Sequence, residues 1–349
     1  MSLFEEKAVN TTPISALGEF ALIDHLTKGI KIKNKSTVKG VGDDAAVIDI
    51  GDKYQLISTD LLVEGVHFDL AYTPLKHLGY KAVAVNVSDI CAMNGEAKQI
   101  TVGLALSNRF SVEALEELYK GMNLACKHYG VDLVGGDTTT SISGLMISVT
   151  ALGEVEKDKI TYRSGAKVND LIVATGDLGA AYLGLQLLKR EKEIYIANPK
   201  MQPDLGGNDY VLQRQLKPEA RINIVKKLKE LKIIPTSMID ISDGLASEIL
   251  HLSEASNLGV KIFEEKLPIL EETKLVAKEF DLNFSNCALN GGEEYELLFS
   301  ITPNEYELIK KNNIDIKPIG YFTKDKSKKI VLSNNKEDEL KSFGWKHFN

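Results

Sequence analysis

The chain has 349 residues, 44% hydrophobic and 26% charged, an ordinary globular balance with length enough for two domains and a sizeable core. With 42 Lys and Arg against 49 Asp and Glu the net charge is −7, which argues against a basic face for nucleic acid or an acidic membrane. Cys91, Cys126 and Cys287 are odd in number, far apart and set among apolar residues, which points to buried thiols in a reducing cytosol rather than a disulfide framework.

Residues 1–13 read as a loose arm without an apolar run of signal-peptide length, and no later window approaches a membrane span, so a soluble cytoplasmic protein is expected. Leu22, Ile23 and Leu26 repeat at helical spacing and predict a helix over 15–29, stopped by Gly29. A lysine-rich loop at 31–39 precedes strands at 41–50 and 54–59, which puts their aspartates at strand ends. Residues 61–69 form a loop carrying His67, and Pro74 opens a helix through about 94 that is apolar on most sides. Asp89 sits inside that helix, where a metal or a basic partner is the expected reason for it. A strand at 99–106, a helix from Ser111 to near Gly130, a strand at 132–134 running into Gly135-Gly136-Asp137, and a β-prone run at 145–155 complete a first α+β unit. The short charged stretch 154–159 is the expected linker, giving domains at 14–153 and 160–349.

The second unit reads similarly, with a strand at 171–175, a helix at 178–188 and a polar stretch at 191–208. That stretch holds Pro199, Pro203 and Gly206-Gly207 and is either a mobile flap or a plain surface loop. A helix over 218–231 and a strand over 238–241 follow. The strand runs into Ser242-Asp243-Gly244 and a helix at 245–257, whose first amides suit phosphate. Further strands at 260–263, 294–301 and 319–322 alternate with helices at 271–280 and 304–311.

Apolar segments ending in Asp beside Gly, Ser or Thr recur five times, at Asp43-Asp44, Asp60, Asp89, Asp137 and Asp240 with Asp243. Adjacent aspartates repel wherever water is excluded, and a divalent cation removes that cost. All-oxygen surroundings suit Mg²⁺ rather than zinc, and Mg²⁺ without a protein cage normally has substrate phosphates completing its shell. No Gly-Lys dipeptide exists, so there is no Walker A loop, and the kinase motifs are absent. Gly40-Val-Gly42-Asp-Asp-Ala45 matches a dinucleotide fingerprint, yet strand-forming Val47, Ile48 and Ile50 follow it and two aspartates would repel a pyrophosphate.

Six motifs in order, Gly-Val-Gly-Asp-Asp-Ala-Ala, Ser-Thr-Asp with Glu-Gly-Val-His-Phe, Ala-Val-Asn-Val-Ser-Asp-Ile, Gly-Gly-Asp-Thr-Thr, Asp-Ile-Ser-Asp-Gly-Leu and Gly-Gly-Glu-Glu-Tyr-Glu-Leu, resemble the thiamine-monophosphate kinases from about Gly18 to the C-terminus. The resemblance implies the two-domain α+β fold of the aminoimidazole ribonucleotide and selenophosphate synthetases, with a mixed sheet and packed helices in each domain. It implies ATP as co-substrate, several Mg²⁺, a homodimer formed through the N-terminal domains, and thiamine monophosphate as phosphoryl acceptor. Asp44, Ser58, Thr59, Asp60, Asp89, Asp137, Asp240 and Asp243 match its Mg²⁺ positions, and Asp44, Asp60, Asp89, Asp137 and Asp240 are the catalytic candidates. Tyr119, Gly136, Asp137, Arg163 and Ser242 match ATP contacts, and His67, Glu293 and Trp345 match contacts to the thiamine phosphate. Departures from the pattern are Ser141, where many relatives carry Arg, and Asn94 between Met93 and Gly95. The alternatives are a synthetase of the same superfamily, whose reactive N-terminal or C-terminal Cys is not found here, and an ATP sensor that transfers nothing.

Overall fold

The structure, a computed structural model, describes residues 12–312, 314 and 316–344. After a 3-10 turn at Ile14–Ala16 comes α1 (Gly18–Thr27), so the first expected helix is broken at Leu17. The expected lysine-rich loop ends in a short strand, β1 (Thr37–Lys39), which pairs with β2 (Ala46–Asp49) and, through it, with β3 (Lys53–Val63). β2 starts five residues later than its apolar pattern suggests, because residues 41–45 bend instead of extending. β3 conversely runs past Thr59, so Asp60 lies within a strand and not at its end.

α2 (Leu75–Ala92), β4 (Glu96–Leu106), α3 (Val112–Tyr129), β5 (Asp132–Thr140) and β6 (Met146–Glu156) complete a six-stranded sheet in the order β1-β2-β3-β6-β4-β5. Only β4 and β5 are parallel, joined by the crossover helix α3, which the Ser111 side chain caps at its start and Gly130 (φ 70°) ends. Gly135-Gly136-Asp137 is not the end of a strand: β5 continues through Thr140 as an exposed edge. Ile147, Val149, Ala151 and Val155 alternate on the buried face of β6, and α2 packs on this sheet.

The second half contributes β7 (Leu171–Ala174), α4 (Ala180–Ala197), α5 (Asp209–Leu216), α6 (Ile222–Glu230), β8 (Ser237–Ile241), α7 (Leu245–Ser256), β9 (Gly259–Phe263), α8 (Glu271–Glu279) and α9 (Phe284–Asn290). β10 (Glu296–Ile301), α10 (Pro303–Lys311), β11 (Lys317–Thr323), β12 (Lys328–Val331) and β13 (Glu337–Glu339) complete a seven-stranded sheet, β13-β12-β9-β11-β7-β10-β8. Only β12 and β9 pair in parallel, so both sheets are mixed, and each half is α+β with helices packed on its sheet. α4 runs nine residues beyond the expected helix, so the polar stretch shrinks to 198–208, where Glu191 accepts from the Asp204 amide at 2.8 Å. The expected helix over 218–231 becomes α6 alone, with α5 before it.

The largest apolar cluster joins the two halves, with Val83, Ile90 and Ile147 in the same body as Ala220, Met238, Leu297 and Phe299. α2 is its axis, packing against β3, β4 and β6 and also against β8, β10, α5 and α6. A helix buried on most sides needs apolar residues all round, as its sequence has. Among the described residues no helix is long and apolar enough to cross a membrane.

Candidate active site

The bend at 41–45, β3, α2, the segment at Arg163, β8 with its following turn, and residues 291–295 together line one cavity of about 790 Å³. Within it Asp44, Asp89 and Asp240 each bring a carboxylate oxygen within 4.8 Å of the others. They come from the bend, from α2 and from β8, so both halves of the chain build the cluster. Asp43 and Asp60 line the same cavity and feel the charge of Asp44. Arg163 donates through Nε and Nη2 to Asp44 Oδ1 at 3.2 and 2.6 Å, and its backbone N–H donates to Asp43 Oδ1 at 3.1 Å. The Ser58 hydroxyl bonds Asp89, Ser88 donates to Asp240 Oδ2 at 2.6 Å, and Asn86 accepts from the Asp60 amide at 3.1 Å.

Five carboxylates with one guanidinium among them are a charge imbalance in a dry place. Burial first, and Asp44 second, push Asp43 and Asp60 up to about 6. Burial with the Asp44 charge pushes Asp240 up to about 7, and burial with three neighbouring aspartates holds Asp89 well above the ordinary carboxylate range. Asp44 itself is raised by burial against the pull of Arg163, and its Oδ2 is buried without a hydrogen-bond partner. Three clustered carboxylates, one with an oxygen left unbonded, are a donor set that fits a hard divalent cation.

The rest of the lining is built differently. Glu293 takes a left-handed backbone (φ 65°), and its Oε2 accepts from Lys81 Nζ at 2.7 Å and Gln215 Nε2 at 2.8 Å. His67 sits in a tight turn, where its Nδ1 accepts from the Val63 amide at 3.0 Å. Ser242 and Asp243 form the turn into α7, and their amides donate to the buried Glu248 carboxylate at 3.3 and 2.9 Å. The two glutamates after Glu293 in the Gly-Gly-Glu-Glu-Tyr-Glu motif turn away from the cavity. Glu294 accepts from the first amides of α4 and from Arg214, and Glu296 is held by Arg214, Arg221 and Thr175.

Two family models match the chain: the AIR synthase related protein N-terminal domain over residues 42–155 and its C-terminal domain over 167–333. The thiamine-monophosphate kinase of Bacillus subtilis (strain 168) is 36% identical over 338 residues, 95% of this chain and 100% of that protein. That of Aquifex aeolicus (strain VF5) is 35% identical over 96% of this chain and 99% of its own length. The chain belongs to the thiamine-monophosphate kinase family. A solved structure described as AaThiL complexed with AMPPCP and TMP superposes with a TM-score of 0.82 at 34% identity, covering 97% of this chain and 100% of that one.

Of the site residues expected from the sequence, the cavity gathers Asp44, Ser58, Thr59, Asp60, His67, Asp89, Arg163, Asp240, Ser242, Asp243 and Glu293. Thr59 is at its rim, with its hydroxyl donating to Val149 O at 3.1 Å. Gly136, Asp137 and Tyr119 do not line it. The reason is topological: Asp60, Val149, Val102 and Gly136 stand in one row across β3, β6, β4 and β5, three strand spacings or roughly 14 Å from end to end. Trp345 lies outside the described residues. Asp43, Lys81, Ser88, Gln215 and Glu248 are the additions. Asp43 was visible beside Asp44 and Ser88 beside Asp89, whereas nothing near Lys81, Gln215 or Glu248 in the sequence marks them.

Proposed function

We propose that this chain transfers the terminal phosphoryl group of ATP directly to thiamine monophosphate, giving ADP and thiamine diphosphate. The carrying observation is that one cavity is lined both by a carboxylate cluster drawn from both halves and by His67, Lys81 and Glu293. The family relatives bear the name of this activity, and one was solved with AMPPCP and TMP.

In this reading Asp44, Asp60, Asp89 and Asp240, with Ser58, Thr59 and Asp243, hold Mg²⁺, which neutralises phosphate charge and polarises the group being transferred. Arg163 adds fixed positive charge beside them, and its pairing with Asp44 keeps it there. Ser242 meets the nucleotide at the start of α7, where Glu248 fixes the turn by taking two of its amides. The acceptor is a phosphate monoester with a second pKa of about 6, so it arrives mostly dianionic and needs no general base. A P–O bond to the acceptor forms as the bond to ADP breaks, its electrons leaving with ADP. Groups proposed for nucleotide and for acceptor line the same cavity, so both substrates can be held together for in-line displacement. Residues 14–153 supply ATP, metal and dimer contacts, residues 160–349 complete the site, and a step that consumes ATP is assigned to the cytoplasm.

The enzyme acts as a homodimer. β5 is an exposed edge with Val134 uncovered, and Gly136 and Asp137 on it are too far across the sheet to reach their own chain's cluster. A second copy packed on this face brings them, with Tyr119, to the partner cavity.

A coupled assay for ADP release decides the reading. Release is expected only with ATP, Mg²⁺ and thiamine monophosphate together, and turnover that survives a chelator would overturn the metal assignment. Mixing inactive Asp60→Asn and Asp137→Asn proteins is expected to restore part of the activity, because one cavity of each mixed dimer is then intact. A monomer in light scattering, or no recovery in the mixture, would sink the dimer.

A further inference from the structure

Among the described residues Lys81 is the one buried lysine, with 2% of its surface exposed. A buried ammonium is costly unless paired, and the partner it has is Glu293, at 2.7 Å across the boundary between the two halves of the chain. Gln215, on α5, donates to the same oxygen of Glu293, so three elements meet at one carboxylate. Glu293 also holds a left-handed backbone that residues with a side chain seldom adopt, fixed by its amide donating to Ser242 O at 2.6 Å. Both donors fall on Oε2, and Glu293 lines the cavity.

Lys81, Val85 and Asp89 all line the cavity and stand four residues apart on α2. Two helical turns separate the first from the last, roughly 12 Å at the rise of an α-helix. A rigid, buried helix therefore sets the distance between the carboxylate cluster and Glu293.

We infer that Lys81 is a positioning residue that acts through Glu293 to orient the acceptor, with α2 fixing the acceptor's distance from the carboxylate cluster. The inference rests on thiamine monophosphate as acceptor, whose cationic thiazolium ring is the charge that a fixed carboxylate recognises. Lys81 itself touches no reacting atom in this account.

Removing the ammonium leaves Glu293 held by Gln215 alone, so Lys81→Met is expected to raise KM for thiamine monophosphate about tenfold or more and change KM for ATP less than twofold. The decisive measurement is a double-mutant cycle with Glu293→Gln. If Lys81 works through Glu293, the double variant is no worse than Glu293→Gln alone. If the two losses multiply, Lys81 acts on the ligand directly and the inference is overturned. Equal loss in both KM values, tracking a lower melting temperature, would also overturn it, since that marks a structural role. Should Lys81→Met fail to fold, Gln215→Leu carries the test, with a smaller rise confined to the acceptor and the same non-additivity with Glu293→Gln. Wild-type protein that releases no ADP with thiamine monophosphate would remove the underlying reading, whereas normal wild-type turnover with an unchanged KM in Lys81→Met removes the inference alone.

Discussion

Replacing Asp60 or Asp89 by Asn removes a negative charge and keeps the side-chain shape, so each variant is expected to lose about a hundredfold in kcat. Steady-state kinetics beside thermal melting check this, and near-normal turnover would make that aspartate structural. The same cluster sets a pH dependence. Asp43 and Asp60 are pushed up to about 6 and Asp240 to about 7, chiefly by burial, against an ordinary value near 3.8. From the ordinary value up through the raised ones the native protein binds more protons than the unfolded chain, so stability falls as pH rises through this range. Metal-free protein is therefore expected to melt higher at pH 6 than at pH 8, and added Mg²⁺ to narrow the gap. A metal-free melting temperature that rises over this range would contradict the carboxylate shifts.

At the scale of elements, α2 and α3 touch backbone to backbone. A Cβ on Gly79 would come within 2.0 Å of Leu118 O, and one on Gly121 within 1.9 Å of Lys76 O. Gly121→Ala must push the helices apart, at a cost of about 1–3 kcal/mol. Because α2 carries both Asp89 and Lys81, the variant is expected to lose kcat as well as melting temperature. A stable protein with full activity would show that α2 tolerates the shift.

Much of this architecture is legible in the sequence where local pattern and burial agree. The all-round apolar character of α2, the strand, turn and helix at Asp240, and the alternation of β6 are of this kind. α5 was hidden because its stretch is polar on average, and the buried Arg214 and Gln215 on it are explained only by glutamates far along the chain. Asp44, Asp89 and Asp240 could be nominated singly from their motifs, but their meeting depends on how the two halves dock. Glu293 is singled out from Glu294 and Glu296 by the motif resemblance alone, since local pattern does not distinguish three neighbouring glutamates. The turn before β10 supplies the physical difference by holding Glu294 and Glu296 on Arg214 and Arg221.

Across the whole molecule, the apolar core does not stop where the chain passes from one sheet to the other. Tyr80 and Tyr129 on the first half both donate to Glu219 on the second, at 2.6 and 3.0 Å, and so add a polar tie to the same boundary. Denaturant unfolding is therefore expected to be a single transition by fluorescence and by circular dichroism alike. Two separated transitions would mean that the halves are independent.

The shared burial of α2 also limits how such a protein can be recombined. A hybrid taking its first half from this chain and its second from a relative inherits one face of α2 fitted to β8, β10 and α6 of a different sequence. Its crossover point is better chosen by which residues touch that face than by where the connecting segment happens to be exposed.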